Sequence, residues 1–128
     1  MTPAELFATA RVARLATVGP AGPHLVPIVF ALAGGVIHTA VDAKPKRTRA
    51  LRRLANIDAD PRVSVLADHY DEDWSLLWWV RADGIARVVA ESAEGRAALA
   101  AKYAQYQAAP PAGPFVEIRV DRWSAWKP

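Results

Sequence analysis

The sequence of 128 residues contains no cysteine, so it offers neither a disulfide framework nor a thiolate metal site. It also lacks any uninterrupted apolar run close to the roughly 18 residues that a membrane-spanning helix requires. Its first ten residues have neither the basic segment nor the long apolar stretch of a secretory signal. We therefore expect one soluble domain, covering residues 1–128, in the cytoplasm.

Several familiar catalytic and metal-binding motifs are missing as well. The chain has no G-x-S-x-G elbow and no G-x-x-x-x-G-K phosphate loop. His24, His38 and His69 lack zinc-ligand spacing, and the acidic run Asp71–Asp73 lacks the glycine and glutamate pattern of an EF-hand. We therefore expect no metal site and assign no catalytic residue.

Positive charge is concentrated in one segment. The formal net charge of the chain is +3, yet the nineteen residues from Lys44 to Arg62 hold seven cations and two carboxylates. This asymmetry indicates a localised anion site, although a solvated basic face is the alternative. A nucleic-acid surface is disfavoured, because no nucleic-acid motif accompanies the segment and an acidic cluster follows at 68–73. The seven cations are Lys44, Lys46, Arg47, Arg49, Arg52, Arg53 and Arg62.

Alternating and helical patterns predict an α+β fold built on an antiparallel sheet that closes into a barrel. Thr2, Pro3 and Glu5 predict a capped helix that runs to about Ala10. Three successive strands are expected to form a meander at Arg11–Val18, His24–Leu32 and Val36–Val41. An amphipathic basic helix follows Asp42, with Ala50, Leu51, Leu54 and Ala55 on its apolar stripe, and ends at Asp60-Pro61.

The second half of the chain alternates in the same way. A strand is predicted at Arg62–Ala67, and Leu76–Val89 is either one long strand bent by a bulge at Gly84 or a hairpin with Asp83-Gly84 as its turn. Ser92 caps a helix that carries Leu99, Tyr103 and Tyr106 on one face, and Phe115–Trp126 is the last strand.

The junction between the third strand and the basic helix is the leading candidate for a binding site. Cations at a helix N-terminus oppose the helix dipole, and a bound anion would relieve that conflict. Phosphate held by the free amides, the Thr48 hydroxyl, Lys44, Lys46 and Arg47 therefore explains the pattern economically. Trp78 and Trp79 form a second feature, because neighbours on a strand point to opposite faces and one indole must look outward. An outward indole favours a subunit interface or a flat ligand.

Together these pieces resemble the pyridoxamine 5'-phosphate oxidase-like (PNPOx-like) split β-barrel superfamily, and more narrowly its actinobacterial branch that depends on the deazaflavin coenzyme F-420. The resemblance covers about residues 5–126 and lies in the order of its segments. The segments are Ala13–Val18, Pro23–Phe30, Lys44–Leu54, Asn56, Asp60–Ser64, Asp73-Trp74 and the run around Gly84.

The resemblance implies a homodimer of FMN-binding split-barrel type, with two cofactor sites in the clefts between the subunits. It implies that Lys44, Lys46, Arg47 and Thr48 hold the cofactor phosphate, and it favours one long bent strand from Leu76. Ring-bordering positions would be Pro27, Val29, Phe30 and Thr39, and the partner would contribute Trp78 or Trp126.

The expected activity is hydride transfer between coenzyme F-420 and a small organic acceptor. The proton for that acceptor is left open between solvent, His38 and Tyr103. This cofactor carries an oligoglutamate tail, and we expect Arg49 and Arg52 to meet the tail carboxylates. One rival is a flavin mononucleotide (FMN) oxidase or reductase of the same fold, although the arginine and lysine spacing of true pyridoxamine-phosphate oxidases is not evident. A non-catalytic cofactor-binding protein is the other rival.

Overall fold

The computed structural model describes the backbone of residues 1–41 and 47–128 and the side chains of residues 1–41 and 52–128.

The first helix follows the local sequence rules closely. Helix α1, Pro3–Ala8, begins with the predicted capping box. The Glu5 amide donates to Thr2 Oγ1 at 3.1 Å, and the Thr2 amide donates to Glu5 Oε1 at 2.7 Å. Two amides that the helix cannot pair internally are thereby satisfied.

The described residues form one seven-stranded sheet in which neighbouring strands are antiparallel, as the α+β prediction requires. The strand order is β2-β1-β5-β6-β7-β4-β3. The strands are β1 Ala13–Gly19, β2 Gly22–Ile28, β3 Ala31–Ala33, β4 Val36–Ala40, β5 Arg62–His69, β6 Trp78–Val89 and β7 Phe115–Trp126. The other helices are α2 Arg47–Ala59, α3 Ala93–Lys102 and α4 Ala104–Ala108, with a 3₁₀ turn at Trp74–Leu76.

The predicted meander is wrong, because its second strand is two strands. β2 ends at Ile28 and β3 begins at Ala31, and these two strands lie at opposite ends of the strand order. Side-chain hydroxyls hold the crossing between them. The Phe30 amide donates to the Tyr103 hydroxyl at 3.1 Å, and Thr39 Oγ1 donates to the Val29 carbonyl at 2.8 Å. These bonds satisfy backbone groups that a continuous strand would have paired in the ladder.

β6 is a single strand, so the hairpin alternative at Asp83-Gly84 is wrong. Its pairing with β7 shifts register there: Asp83 faces Arg122, whereas Gly84 faces Val120. The extra residue of the bulge therefore lies on β7 and not at Gly84. A Cβ at position 84 would overlap the Arg119 carbonyl oxygen, which explains the glycine as a site of close backbone approach.

The single helix predicted after β6 begins where expected but is divided into two helices, α3 and α4. Ser92 caps α3 as expected, accepting from the Gly95 amide at 2.9 Å. The predicted single helix breaks at Tyr103, whose backbone is extended with φ −117° and ψ 123°. Tyr103 and Tyr106 nevertheless pack with Leu99 against one small apolar cluster, as their common predicted face implied.

Helix α2 ends just before Asp60-Pro61, as predicted, but its buried face is rotated from the predicted stripe. Ala55 is exposed, whereas Asn56 and Ile57 are buried and Arg53 is partly buried. Positions 53, 54 and 57 follow the i, i+1, i+4 spacing of a helical face, so an arginine occupies a place that an apolar residue normally takes. The Asn56 amide group is satisfied by Thr17 Oγ1 at 3.0 Å.

The sheet wraps around its main apolar core as a split β-barrel. On β6, Val80, Ala82 and Ala86 point into that core, and Trp79, Arg81 and Asp83 alternate with them on the outer face. Helix α3 contacts β3 and β4, and the outer face of the other half of the sheet faces solvent. None of the helices in the described ranges has the length and apolarity needed to cross a membrane.

Candidate functional site

The open half of the outer sheet face forms a long groove. Two adjoining cavities of about 740 and 680 Å³ share Ala16, Ser64 and Arg81, so they are two ends of one surface. The cross-strand register explains this, since Ala16 of β1 pairs with Ser64 of β5 and Arg81 of β6 pairs with Leu66 of β5. We call this surface the outer groove. One of its ends is aromatic and the other is polar.

Tryptophans line the aromatic end of the outer groove. Trp79 pairs across the strands with Trp126, and both line the larger cavity. Trp78 packs against the main core, and its ring is stacked on His69 with the centroids 6.3 Å apart. The two adjacent indoles follow the strand alternation only in part, because Trp78 also lines the larger cavity. Trp126 is 45% exposed, which leaves its ring available to a partner or a ligand.

Asp83 organises the polar end. It accepts from Ser64 Oγ at 2.6 Å and from an Arg122 terminal nitrogen at 3.2 Å, and Arg81 Nε lies 3.1 Å away. Burial opposes its ionisation, but these hydrogen bonds and the two guanidinium charges lower the pKa of Asp83 overall. Two arginines share this carboxylate, so the cluster keeps a net positive charge. The sequence reasoning missed these residues. The available signal was the alternation of charged residues at 81 and 83 with apolar residues at 80 and 82.

The phosphate site predicted at the start of α2 is only partly covered by the structure. Lys44 and Lys46 lie outside the described residues. Arg47, Thr48 and Arg49 lie on the first turn of α2, in the part of the helix whose side chains are not described.

Two arginines of the same helix are described. Arg52 is exposed, as a solvated or ligand-facing cation would be. Arg53 was expected outside the apolar stripe but is partly buried, and its Nε is buried without a hydrogen-bond partner among the described residues. Burial lowers the pKa of Arg53, because removal from water disfavours the charged form. A partly buried guanidinium group with an unpaired buried Nε is the kind of site that an anion stabilises.

The four residues expected to border a ring system lie near the crossing between β2 and β3. Pro27 is exposed opposite Arg14, and Val29 is partly buried. Phe30 and Thr39 are 0% and 1% exposed. The side chains of Phe30 and Thr39 therefore lie in the core beneath the crossing and do not form a ligand-facing surface. Thr39 stabilises the crossing through its hydrogen bond to the Val29 carbonyl.

Of the two side chains left open as proton donors, His38 is buried and Tyr103 is partly buried. His38 is 2% exposed beneath α3, with Nδ1 3.6 Å from Glu117 Oε2. The Tyr103 hydroxyl lies 2.9 Å from the Arg11 carbonyl and 3.0 Å from the Phe30 carbonyl. Neither lines the outer groove. Across the described ranges, no group of three or more histidine, aspartate or glutamate side chains is arranged to hold a metal ion.

Solved structures with the same fold come from several bacteria. A conserved hypothetical protein of Mycobacterium tuberculosis is 26% identical, with a TM-score of 0.73, and the match covers 99% of this chain and 85% of that one. An FAD-binding protein of Mesorhizobium loti is 20% identical, with a TM-score of 0.70 and coverage of 95% and 89%. An FAD-binding protein of Mycobacterium smegmatis is 17% identical, with a TM-score of 0.66 and coverage of 96% and 90%.

Comparison with curated protein sequences gives no match. The family model described as pyridoxamine 5'-phosphate oxidase, in contrast, matches residues 3–127, almost the whole chain. Its agreement with the split β-barrel, the seven-stranded antiparallel order and the solved structures identifies this chain as a member of the pyridoxamine 5'-phosphate oxidase family.

Proposed function

We propose that this chain is an oxidoreductase dependent on coenzyme F-420, which transfers a hydride between that deazaflavin and a small organic acceptor. The observation that carries the proposal is Arg53, a partly buried guanidinium group with no hydrogen-bond partner among the described residues, on the most basic helix of a family member. A polyanionic cofactor supplies the missing counter-charge. The residues present therefore fit such a group.

The residues of the chain bind and orient in this proposal. Lys44, Lys46, Arg47 and Thr48 hold the phosphate, and Arg49 and Arg52 meet the carboxylates of the tail. Arg53 adds a contact whose strength comes from its partial burial, because charge-assisted hydrogen bonds strengthen away from water. When bound, the reduced deazaflavin ring supplies the hydride. No protein nucleophile is needed.

A second copy of the chain completes the site. The outer face exposes Leu25 at 67%, Leu66 at 36% and Trp126 at 45%, which is more apolar surface than a solvated sheet face requires. In the homodimer these residues are covered, and the cofactor lies in the clefts between subunits. Trp126 is better placed than Trp78 to reach across, since Trp78 packs against the core of its own subunit.

FMN or FAD is the second candidate cofactor. It is supported by the two solved neighbours described as FAD-binding proteins. The seven cations of the basic segment favour the longer polyanion, because a flavin mononucleotide offers one phosphate to them. The choice between the cofactors leaves the phosphate-binding roles the same, whereas the tail contacts of Arg49 and Arg52 exist only with F-420.

Cofactor titration tests the proposal directly. Purified protein is titrated with F-420, FMN and FAD under identical salt, and quenching of cofactor fluorescence is followed. We expect tightest binding of F-420, and we expect Arg53→Gln to weaken it about tenfold. Arg87→Gln is the matched control, since Arg87 is an exposed arginine engaged with Glu117 on another surface. Failure of all three cofactors to bind at micromolar protein would refute the proposal.

Tail recognition and turnover need separate measurements. Replacing Arg52 by glutamate should weaken long-tailed F-420 more than a tail-free deazaflavin, and equal effects would remove Arg52 from the tail site. Steady-state assays with quinones, enones and nitroaromatics then separate an enzyme from a binding module. Tight cofactor binding without reduction of any acceptor would favour the non-catalytic protein.

A further inference from the structure

The loop between β5 and β6 carries three large apolar side chains that its own subunit leaves uncovered. Tyr70, Trp74 and Leu76 are each more than half exposed, and Trp74 reaches 68%. Apolar side chains exposed this close together mark a surface that another molecule covers. We call residues 70–77 the β5–β6 loop.

Hydrogen bonds within the β5–β6 loop hold Trp74 in this outward position. The Asp73 carboxylate accepts from the Ser75 amide at 3.0 Å and from the Ser75 hydroxyl at 2.7 Å, which caps the 3₁₀ turn Trp74–Leu76. The Asp71 carboxylate in turn accepts from the Asp73 amide at 2.8 Å. The exposed side chains therefore lie on a hydrogen-bonded turn, so a partner that covers them has little backbone left to order.

The β5–β6 loop continues the aromatic end of the outer groove. Tyr70 and Leu77 line the larger cavity together with Leu25, Leu66 and Trp126. The last three are the apolar residues that the proposed homodimer covers. The loop therefore borders the same interface, and a second copy of the chain is the partner closest to it.

The charge of the β5–β6 loop is negative and mostly unpaired. Asp71, Glu72 and Asp73 follow one another in the sequence. Within the described ranges, the ion-pair contact of these carboxylates is one, between Asp71 and His69 Nε2 at 3.7 Å. Glu72 accepts from the Tyr70 hydroxyl at 2.6 Å and is otherwise free to meet a cation. The loop thus offers apolar side chains and negative charge together.

The polar end of the outer groove has the complementary charge. It is lined by three cations, Arg62, Arg81 and Arg122, and by two carboxylates, Asp83 and Asp121. The side chains of Arg62 and Arg122 are largely exposed, although each also contacts an aspartate of its own subunit. A guanidinium group has five N–H donors, so both arginines keep donors for a second partner.

Two-fold symmetry limits how two outer faces can meet. Two copies joined through the same face are related by a two-fold axis that lies in the plane of the interface. An axis along the strands brings like ends together, with acidic loops at one end and arginines at the other. An axis across the strands lays the aromatic end of each copy over the polar end of the other. Complementary charges favour the second arrangement.

We propose that the β5–β6 loop of each subunit docks on the polar end of the partner's outer groove. Trp74 and Leu76 are covered by the partner, and Glu72 lies beside the partner's Arg62 and the partner's Arg122. The inference rests on the homodimer of the proposed function and adds the orientation of the two subunits. Each subunit thereby supplies one wall of the other's groove.

The sign of one charge effect tests the orientation. Sedimentation equilibrium of the full chain gives the dimer dissociation constant, in low salt where surface charges are least screened. Glu72→Gln should weaken the dimer severalfold, because symmetry removes two attractive contacts at once. If like ends met, the same substitution would relieve repulsion and tighten the dimer. A tighter or unchanged dimer would therefore overturn the proposal.

A charge swap tests the contact itself. Glu72→Lys and Arg122→Glu should each weaken the dimer about tenfold, and the two together should bring it back to within about threefold of the wild type. Glu94→Lys is the matched control, since Glu94 is an exposed glutamate on α3, and it should change nothing. Two weakened single variants without recovery in the double variant would refute the contact. If Arg122→Glu does not fold, Arg62→Glu replaces it with the same expected recovery.

Trp74→Ser tests the apolar part of the surface. The dimer should weaken about tenfold or more, because the covered indole is lost on both sides of the axis. Urea unfolding of dilute, monomeric protein should keep its midpoint, since the indole is exposed in the single subunit. A lowered midpoint, or an unchanged dimer, would mean that Trp74 has no part in docking.

Cofactor titration of the same variants separates this inference from the cofactor assignment. If no cofactor binds while the charge swap still restores the dimer, the assignment fails and the docking of the β5–β6 loop stands. If F-420 or FMN binds while the chain sediments as a monomer at every concentration, the docking fails and the cofactor assignment stands.

Discussion

Replacing Tyr103 by phenylalanine isolates the contribution of one hydroxyl to the crossing between β2 and β3. The hydroxyl oxygen accepts from the Phe30 amide at 3.1 Å and lies within donating distance of the Arg11 and Phe30 carbonyls, at 2.9 and 3.0 Å. Phenylalanine preserves the ring and therefore its contact with the Arg11 guanidinium group, which is centred 4.7 Å away. The substitution thus removes hydrogen bonds and little else.

The expected loss of stability follows from what remains unpaired. Phe30 is fully buried, and leaving its amide without a partner costs about 1–3 kcal/mol. Loss of the donated bond adds about 1 kcal/mol, so the free energy of unfolding should fall by about 3 kcal/mol in total. With an unfolding entropy of about 2 cal/mol/K per residue, this loss lowers the melting temperature by about 10 °C.

Urea denaturation provides the measurement, with the Tyr103→Phe midpoint lowered and the slope of the transition unchanged. Tyr70→Phe is the matched control. Tyr70 is 64% exposed and its hydroxyl bonds Glu72 at the surface, so its removal should cost less than about 0.5 kcal/mol. Equal effects of the two substitutions would refute the assignment of Tyr103 as the clamp of the crossing.

The same hydroxyl predicts a pH dependence. Burial raises the pKa of Tyr103 above its ordinary value, because the phenolate is disfavoured away from water. The contribution of the protonated hydroxyl to the free energy of unfolding is therefore fully present below a pH of about 10 and is lost as the pH rises through the raised pKa. Tyr103→Phe should lose less stability than the wild type between neutral and strongly alkaline pH. An identical alkaline loss would contradict this reasoning.

Two further substitutions test the bulge and the helix cap. Gly84→Ala places a Cβ against the Arg119 carbonyl, which belongs to the backbone and cannot easily move away. We expect the free energy of unfolding, measured by chemical denaturation, to fall by about 3 kcal/mol. A fall of less than about 1 kcal/mol would contradict the close approach. Ser92→Ala removes the cap of α3 and should cost about 1–2 kcal/mol. The hydrogen bond from Ser92 is also the main cause that lowers the pKa of Glu117. The stability that this lowered pKa contributes is present above the ordinary pKa of glutamate and is lost as the pH falls through the lowered value. Because the variant lacks this contribution, it should unfold at a higher pH on acid titration.

Elements governed by neighbouring residues could be predicted from the sequence. The capping box of α1 depends on residues three apart, and β7 was predicted with its observed bounds, Phe115–Trp126. The break between β2 and β3 could not be predicted in this way. It depends on hydroxyls of Thr39 and Tyr103, which lie 10 and 73 residues from their partners in the chain. A continuous run of apolar residues hides such a break.

The candidate site shows the same division between local and long-range information. A dense run of cations in the sequence drew attention to the start of α2, and the partial burial of Arg53 sharpened that prediction only through the packing of the helix. The Arg81 cluster escaped notice because its members come from β5, β6 and β7. Only the cross-strand register brings Ser64, Asp83 and Arg122 to one point.

The proposed assembly through the outer face agrees with how the sheet edge is built. A two-residue turn joins Gly19 to Gly22, so these form a hydrogen-bonded pair and every second pair along the hairpin repeats it. The backbone nitrogens of the intervening positions, Pro23, Leu25 and Pro27, then face the open edge of β2. Two of these three have no N–H, which disfavours strand addition at this edge. The apolar outer face thus remains the better route to a second subunit, and the same Leu25 side chain is exposed on it.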